Sequence, residues 1–201
     1  MKKIFFVLAA VVLMLSACAS TSGVQRINAG TQTDLSGYWN DTDVRIVCRA
    51  LIESCLNNPN VNQAIRAMRG RTPTVIIGRF RNDSSEHIDT EIITSNMRTT
   101  IINSGKLDFV AGGDTRDAIR EERQDQLNYA SEDTAASLAN ETGADFMLTG
   151  SVKTIVDRAG NQTARTYYIT AELTNIETNR IIWSEQNSEI KKVVVRPKNK
   201  L

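Results

Sequence analysis

Thr74-Val75-Ile76-Ile77-Gly78-Arg79-Phe80 is the stretch on which the fold turns, being short, β-branched and almost continuously apolar. A strand wetted on one face alternates apolar with polar residues, whereas one covered on both faces reads as a nearly unbroken apolar run. The segment therefore predicts a central strand. Asp145-Phe146-Met147-Leu148-Thr149-Gly150 reads the same way, and Val152 to Asp157 extends it past the glycine. Beyond the Gly160-Asn161 hairpin signal, Tyr167, Ile169, Ala171 and Leu173 alternate with Tyr168, Thr170 and Glu172, as in a half-buried strand. Glu177-Thr178-Asn179 turns the chain into a further strand, Arg180 to Glu185, with Trp183 facing the core.

Helical periods lie between these strands. Val44, Val47, Cys48, Leu51, Ile52, Cys55 and Leu56 recur at the spacing of one helix face, behind the capping group Asp41-Thr42-Asp43. Asn57-Asn58-Pro59 ends that helix, and Asn62 to Met68 suggests a shorter one before Gly70. Ser84 and Ser85 lead toward a helix carrying Ile88, Ile92, Met97 and Ile101 and closed by Gly105. Leu107 to Ala111 reads as a short strand, Gly112-Gly113-Asp114 as the turn and cap of a charged helix to about Gln126, and Ser131 to Asp133 as the start of another, closed by Gly143. The order α-β-α-β-α-α-β-β-β predicts an α/β (α+β) sandwich, a mixed and mostly antiparallel sheet of four to five strands flanked by about four helices. One globular domain is expected over residues 35–190, with the basic run 191–201 fraying at its end.

The beginning of the chain reads as an address. Lys2 and Lys3 precede an unbroken apolar stretch, Ile4 to Leu15, closed by Ser16-Ala17-Cys18. Those twelve residues rise about 18 Å as a helix, short of the ~30 Å hydrocarbon core, which argues for a signal peptide (residues 1–17) rather than a permanent span. Leu15-Ser16-Ala17-Cys18 resembles a bacterial lipobox, and the resemblance implies diacylglycerol on the thiol of Cys18 and acylation of its new amine. Several acyl chains hold a protein on a membrane stably, where one would be marginal. Ala19 and Ser20 after the cysteine, with no aspartate there, imply delivery to the outer membrane. From Cys18 to Asp34 the chain is too polar to order itself by burial and reads as a tether; sixteen residues span typically about 22 Å and at full stretch about 50 Å.

The full chain has 24 basic and 23 acidic residues and a net charge of +1, and loss of Lys2 and Lys3 with the signal leaves a slight negative balance. Such neutrality is the wrong electrostatics for nucleic acid. Cys48 and Cys55 would be free to pair in an oxidising compartment, but seven residues along a helix separate them by about 10.5 Å, beyond the ~7 Å limit for a bridge. They share a face and are expected to be buried thiols.

Catalytic chemistry finds no frame. A nucleophile–imidazole device needs a positioned histidine, and the chain's one histidine, His87, stands between Glu86 and Asp89 where a solvated helix start is expected. No ligand spacing for zinc is present, and Gly112-Gly113-Asp114-Thr115 lacks the P-loop lysine and the three-glycine pattern. Carboxylate pairs are too easily formed by chance to identify a wall hydrolase. No cofactor and no metal is expected, and a binding role follows.

Leu35-Ser36-Gly37-Tyr38-Trp39-Asn40-Asp41-Thr42-Asp43-Val44-Arg45 resembles the LpoB family, lipoprotein activators of bifunctional penicillin-binding proteins. Ile77 to Ser84 is similar to that family's first strand and loop, Ala118 to Gln126 to its charged helix, and Gly143 to Gly150 to its later buried strand; such strands also occur in curli-secretion-type lipoproteins. The likeness runs over about residues 35–187. It implies a non-enzymatic outer-membrane lipoprotein, facing the periplasm, that contacts a peptidoglycan synthase and raises its activities. The tether here is shorter than in family members with that role. Arg120, Arg123 and Gln124, with Tyr129 after them, mix charge and aromatic surface in the manner of an interface hot spot and are the candidate partner-binding residues. Tyr38 and Trp39 are expected to pack the start of the domain, and Gly78 and Gly150 to relieve close backbone approaches.

Overall fold

The computed structural model describes residues 26–28, 30–129 and 142–197. The chain divides into two compact units, Met1–Thr31 and Gln32–Leu201. In the first, a single turn is described, Thr31 N–H to the Asn28 carbonyl at 3.0 Å. The apolar leader, Cys18 and the helix expected from Ser131 lie outside the described residues.

The second unit begins its regular structure with helix α1, Asp41–Asn57. Asn40 is its cap. The side-chain oxygen of Asn40 accepts from the Thr42 and Asp43 N–H groups at 3.0 and 3.2 Å, while the Asp43 carboxylate accepts from the Asn40 N–H at 2.9 Å. This reciprocal box satisfies the orphan donors of the first turn. The cap thus falls one residue before the Asp41-Thr42-Asp43 group to which the sequence assigned it, because Asn40 is the residue in extended backbone. All seven apolar positions of the expected stripe, Val44 to Leu56, are buried. Asn58 ends α1 and caps helix α2, Pro59–Ala67, whose first residue is a proline that has no N–H to leave unpaired.

Strand β1, Thr74–Asn82, is followed by helix α3, Thr90–Ser104, and by β2, only Asp108–Phe109. Gly105 closes α3 at φ 66°, as its position predicted. The start of α3 differs from expectation. Ser84 and Ser85 lie in a turn held by the Asn82 side chain, which accepts from both the N–H and the hydroxyl of Ser84, and Asp89 is the cap. Ile93 rather than Ile92 therefore faces the core, and Ile88 is buried just ahead of the helix. Helix α4 spans Gly113–Tyr129. Strands β3 (Phe146–Ala159) and β4 (Gln162–Asn175) form a hairpin fourteen residues long on each side, turned by Gly160 at φ 58°; β5 is Ile181–Asn187 and β6 is Lys191–Val195.

The sheet runs β2-β1-β3-β4-β5, with β6 also paired to β4. β1 is parallel to β2 and β3; the remaining pairs are antiparallel. β5 takes the Ile169–Thr174 half of β4, and β6 takes the Gln162–Thr166 half. The strand β6 corrects the expectation of a fraying basic tail from residue 191. Its valines complete the edge of the long hairpin, and the Lys192 ammonium finds carboxylates that lie far from it in sequence. The mixed, mostly antiparallel sheet flanked by helices is as expected, with one more strand.

One core joins these layers. Phe146, Leu148 and Val152 of β3, Tyr167, Ile169, Ala171 and Leu173 of β4, and Trp183 of β5 face the stripe of α1 and residues Ile93, Met97 and Ile101 of α3. Two close approaches require glycine. A Cβ on Gly150 would meet the Phe80 ring and the Thr170 carbonyl, and one on Gly78 would stand 2.7 Å from Met147 Sδ. A polar staple ties β1 to the start of β3. Arg71 pairs bidentately with Asp145 at 2.7 and 2.9 Å, and Asp145 accepts from the Thr74 N–H at 2.8 Å.

Two measurements check this arrangement. Cys48 and Cys55 are free and buried, and burial pushes both thiols up to about 12. Since the thiolate is the nucleophile, a thiol reagent at pH 8 should leave both unmodified in the folded protein and label both in denaturant. The Arg71 hydrogen bond, against the cost of burial and with help from Thr74, holds the Asp145 carboxyl below its ordinary 3.8. A carboxyl depressed on folding contributes stability above its unfolded value and loses it as pH falls through the folded one. Acid titration of unfolding should therefore show Asp145→Asn less stable than the parent at pH 7, with the difference shrinking as pH falls below the ordinary carboxyl value of 3.8 and through the depressed one.

Candidate partner-binding surface

The residues singled out as a binding surface belong to α4. This helix packs closely on no other described helix or strand. Arg116 anchors its first turn by donating from Nε to the Ala111 carbonyl at 2.8 Å. Arg123 turns with Arg116 and Ile119 into a shallow depression beside Val110 and Ala111. Arg120 lies on the outer surface, 3.4 Å from Asp117, and Gln124 is exposed one turn further on. Tyr129 is the last residue of the helix. The structure thus puts Arg120 and Gln124 on an exposed face and turns Arg123 partly away from them.

A second surface lies on the sheet face opposite α1 and α3. Arg79, Arg81 and Lys153 rim a depression of about 380 Å³ floored by Ser151 and Thr170, with Glu172 at its end. Register explains the grouping. Arg81 is opposite Ser151, and Ser151 opposite Thr170, so their side chains rise from one face.

A nearly buried carboxylate stands in a segment expected from the sequence to be a solvated helix start. Glu86 is 9% exposed in its side chain, lies 3.4 Å from Arg165 Nε, and accepts from the Tyr167 hydroxyl at 2.9 Å and the Trp39 N–H at 3.3 Å. Arg165 in turn stands 4.3 Å over the Tyr38 ring and donates to the Gly37 carbonyl at 3.4 Å. The Trp39 ring lies tilted against Tyr167 with centroids 5.2 Å apart, so it packs the domain start as expected, while Tyr38 remains half exposed beneath the guanidinium. Beside them Lys192, 10% exposed, contacts Asp43 at 2.6 Å and Asp34 at 2.9 Å and donates to the Tyr38 carbonyl at 2.9 Å. Residues 33–40 thereby form a strap across β4 and β6.

The charges answer to that packing. Burial disfavours the Lys192 ammonium, yet hydrogen bonds to Asp43 and Asp34 outweigh it and raise its pKa. Asp34 is lowered by its bonds to Lys192 and Asn40, and Tyr167 is raised by burial and by the Glu86 carboxylate it donates to. No local pattern marks Glu86 or Lys192, whose partners lie 81 residues or more away in the chain in the cases of Tyr167 and Tyr38. Among the described residues no three His, Cys, Asp or Glu side chains converge to hold a metal ion.

Removing one member of a buried pair leaves the other charged and unpartnered, at a cost of about 3–5 kcal/mol. Lys192→Met should therefore lower the urea midpoint strongly by leaving buried Asp43 without its cation, whereas Gln124→Ala on exposed α4 should leave it nearly unchanged.

Comparison with known proteins bears on the domain as a whole. A search of curated proteins finds no match. Among solved structures, the LpoB C-terminal domain from Salmonella enterica matches at 17% identity with a TM-score of 0.43, covering 77% of this chain and 99% of that one. The LpoB C-terminal domain from Escherichia coli matches at 17% identity with a TM-score of 0.42 and the same coverage. The model of the peptidoglycan-synthase activator LpoB matches residues 43–188, from the capping box of α1 to the end of β5. With more than two thirds of its length inside that match, the chain belongs to the LpoB family of peptidoglycan-synthase activators.

Proposed function

We propose that this protein is a lipid-anchored activator that binds a bifunctional penicillin-binding protein and raises its glycosyltransferase and transpeptidase activities allosterically. The family match over residues 43–188 is the observation that supports the reading. The anchor is the acylated Cys18, and the protein faces the periplasm from the outer membrane, held by a tether of residues 18–34. Among the described residues no helix is long and apolar enough to cross a membrane.

Activation by binding requires the activator to favour the working state of the synthase. A tenfold rise in the active population needs a difference of about 1.4 kcal/mol between the two affinities. Contacts of ordinary interface strength supply that. Arg120, Arg123, Gln124 and Tyr129 of α4 form the expected contact, Arg120 and Gln124 from its exposed face, where a mix of charge and polar side chains suits a partner surface.

The test uses the lipidated chain in detergent. It should retain a bifunctional penicillin-binding protein from solubilised envelopes, and added to that purified synthase it should raise glycan polymerisation several-fold at saturation. Retention of export components alone, or an unchanged polymerisation rate, overturns the reading. In cells, labelling with radioactive palmitate should vanish in Cys18→Ala; persistence of the label refutes the anchor.

A further inference from the structure

The match to the family ends at residue 188, and strand β6 (Lys191–Val195) lies beyond it, as the strap of residues 33–40 lies before its start. These two segments meet on the far half of the β3–β4 hairpin. The strap covers one face there: Gly37 packs on Val194, and Lys192 is buried against Asp34 and Asp43. Alternation along β6 sends the neighbouring side chains to the other face. Val193 and Val195 are 55% and 58% exposed there, and Ile155 of β3, on the same face by register, is 59% exposed. Three large aliphatic side chains thus share one exposed area of a single sheet face, where isolated ones would need no explanation.

Charge flanks this area on one side. Lys191 is opposite Thr166, which is opposite Ile155; Lys153 is two residues before Ile155 on the same face, and Arg79 and Arg81 continue the row across β1. The acids nearby are partly engaged. Asp83 lies 3.4 Å from Arg81, Glu172 accepts from the Ser184 hydroxyl at 3.1 Å, and Asp157, two residues beyond Ile155 on the same face, is opposite Ala164, which is opposite Val193.

We propose that the aliphatic patch Ile155, Val193 and Val195, with its flank of Lys153 and Lys191, is a docking surface for an acidic, apolar-centred face of the synthase. The proposal rests on the synthase reading above and places contact on the sheet in addition to α4. Charge decides among occupants. A second copy meeting this face with its own would set cations against cations, which disfavours self-association. A bilayer would be met by short β-branched side chains flush with a sheet, without the Trp, Phe or Leu wedges that hold interfacial elements in lipid. An acidic protein surface satisfies both the apolar centre and the basic flank.

Two variants test it, Val193→Ser/Val195→Ser and Lys153→Glu/Lys191→Glu, each substituting exposed positions only. Both should melt as the parent does and bind the purified synthase at least tenfold more weakly, and the lysine variant should also lose the salt dependence of association. Parent-like affinity in both variants overturns the docking surface while leaving the synthase reading standing. Failure of the parent chain itself to bind the synthase overturns both. Weaker flotation with phosphatidylglycerol vesicles alone, at unchanged synthase affinity, makes the patch a lipid contact. Parent dimers that the variants dissociate make it a self-interface. Either result refutes the proposal.

Discussion

The β3–β4 hairpin is longer than the helices laid across it, and the rest of the structure accommodates that mismatch. Fourteen residues of strand reach about 46 Å, while the seventeen of α1 reach about 25 Å. From Phe146 to Val152, and from Tyr167 to Leu173, the covered face is sealed by α1 and α3. Past those residues no described helix covers it. Cover comes instead from an extended segment, residues 33–40, fastened by two cations on the strands, Arg165 and Lys192.

A strap of eight residues has little apolar surface to hold it down, so its attachment is polar and specific. Arg165 and Lys192 are nearly buried, as are Glu86 and Asp43 opposite them. Such pairs are weak contributors to net stability, because taking the ions out of water offsets most of their attraction. Through them the strap, the 82–89 turn, the first turn of α1 and strand β6 meet in one polar cluster. Tyr167 and Trp39 link this polar cluster to the core, since the tyrosine ring packs inside while its hydroxyl reaches Glu86.

What could be read from sequence divides along the same line. The stripe Val44 to Leu56 is a property of one helix, and all seven positions are buried. The strands at Thr74 and Phe146, the hairpin at Gly160 and the glycine stop at Gly105 are equally local. Glu86 looked solvated because its neighbours are Ser85 and His87, and only the fold brings Arg165 and Tyr167 to it. Residues 191–195 looked like a loose basic tail because the paired strand, and the carboxylates that neutralise Lys192, lie elsewhere. On the candidate surface, the helical period of α4 was visible, but which way Arg123 turned depended on Val110 and Ala111.

Strand β6 is the element through which the two ends of the domain communicate. Its inward side chains receive the strap, Lys192 through Asp34; its outward valines lie on the opposite face one residue away. A single layer of strand separates the two. Ordering β6 from either side orders it for the other, because strand pairing with β4 fixes Lys192 and Val193 together. For the proposed docking on Val193 and Val195, linkage is reciprocal: the free energy by which docking would steady β6 equals that by which the Lys192 cluster, held on the same strand, would favour docking.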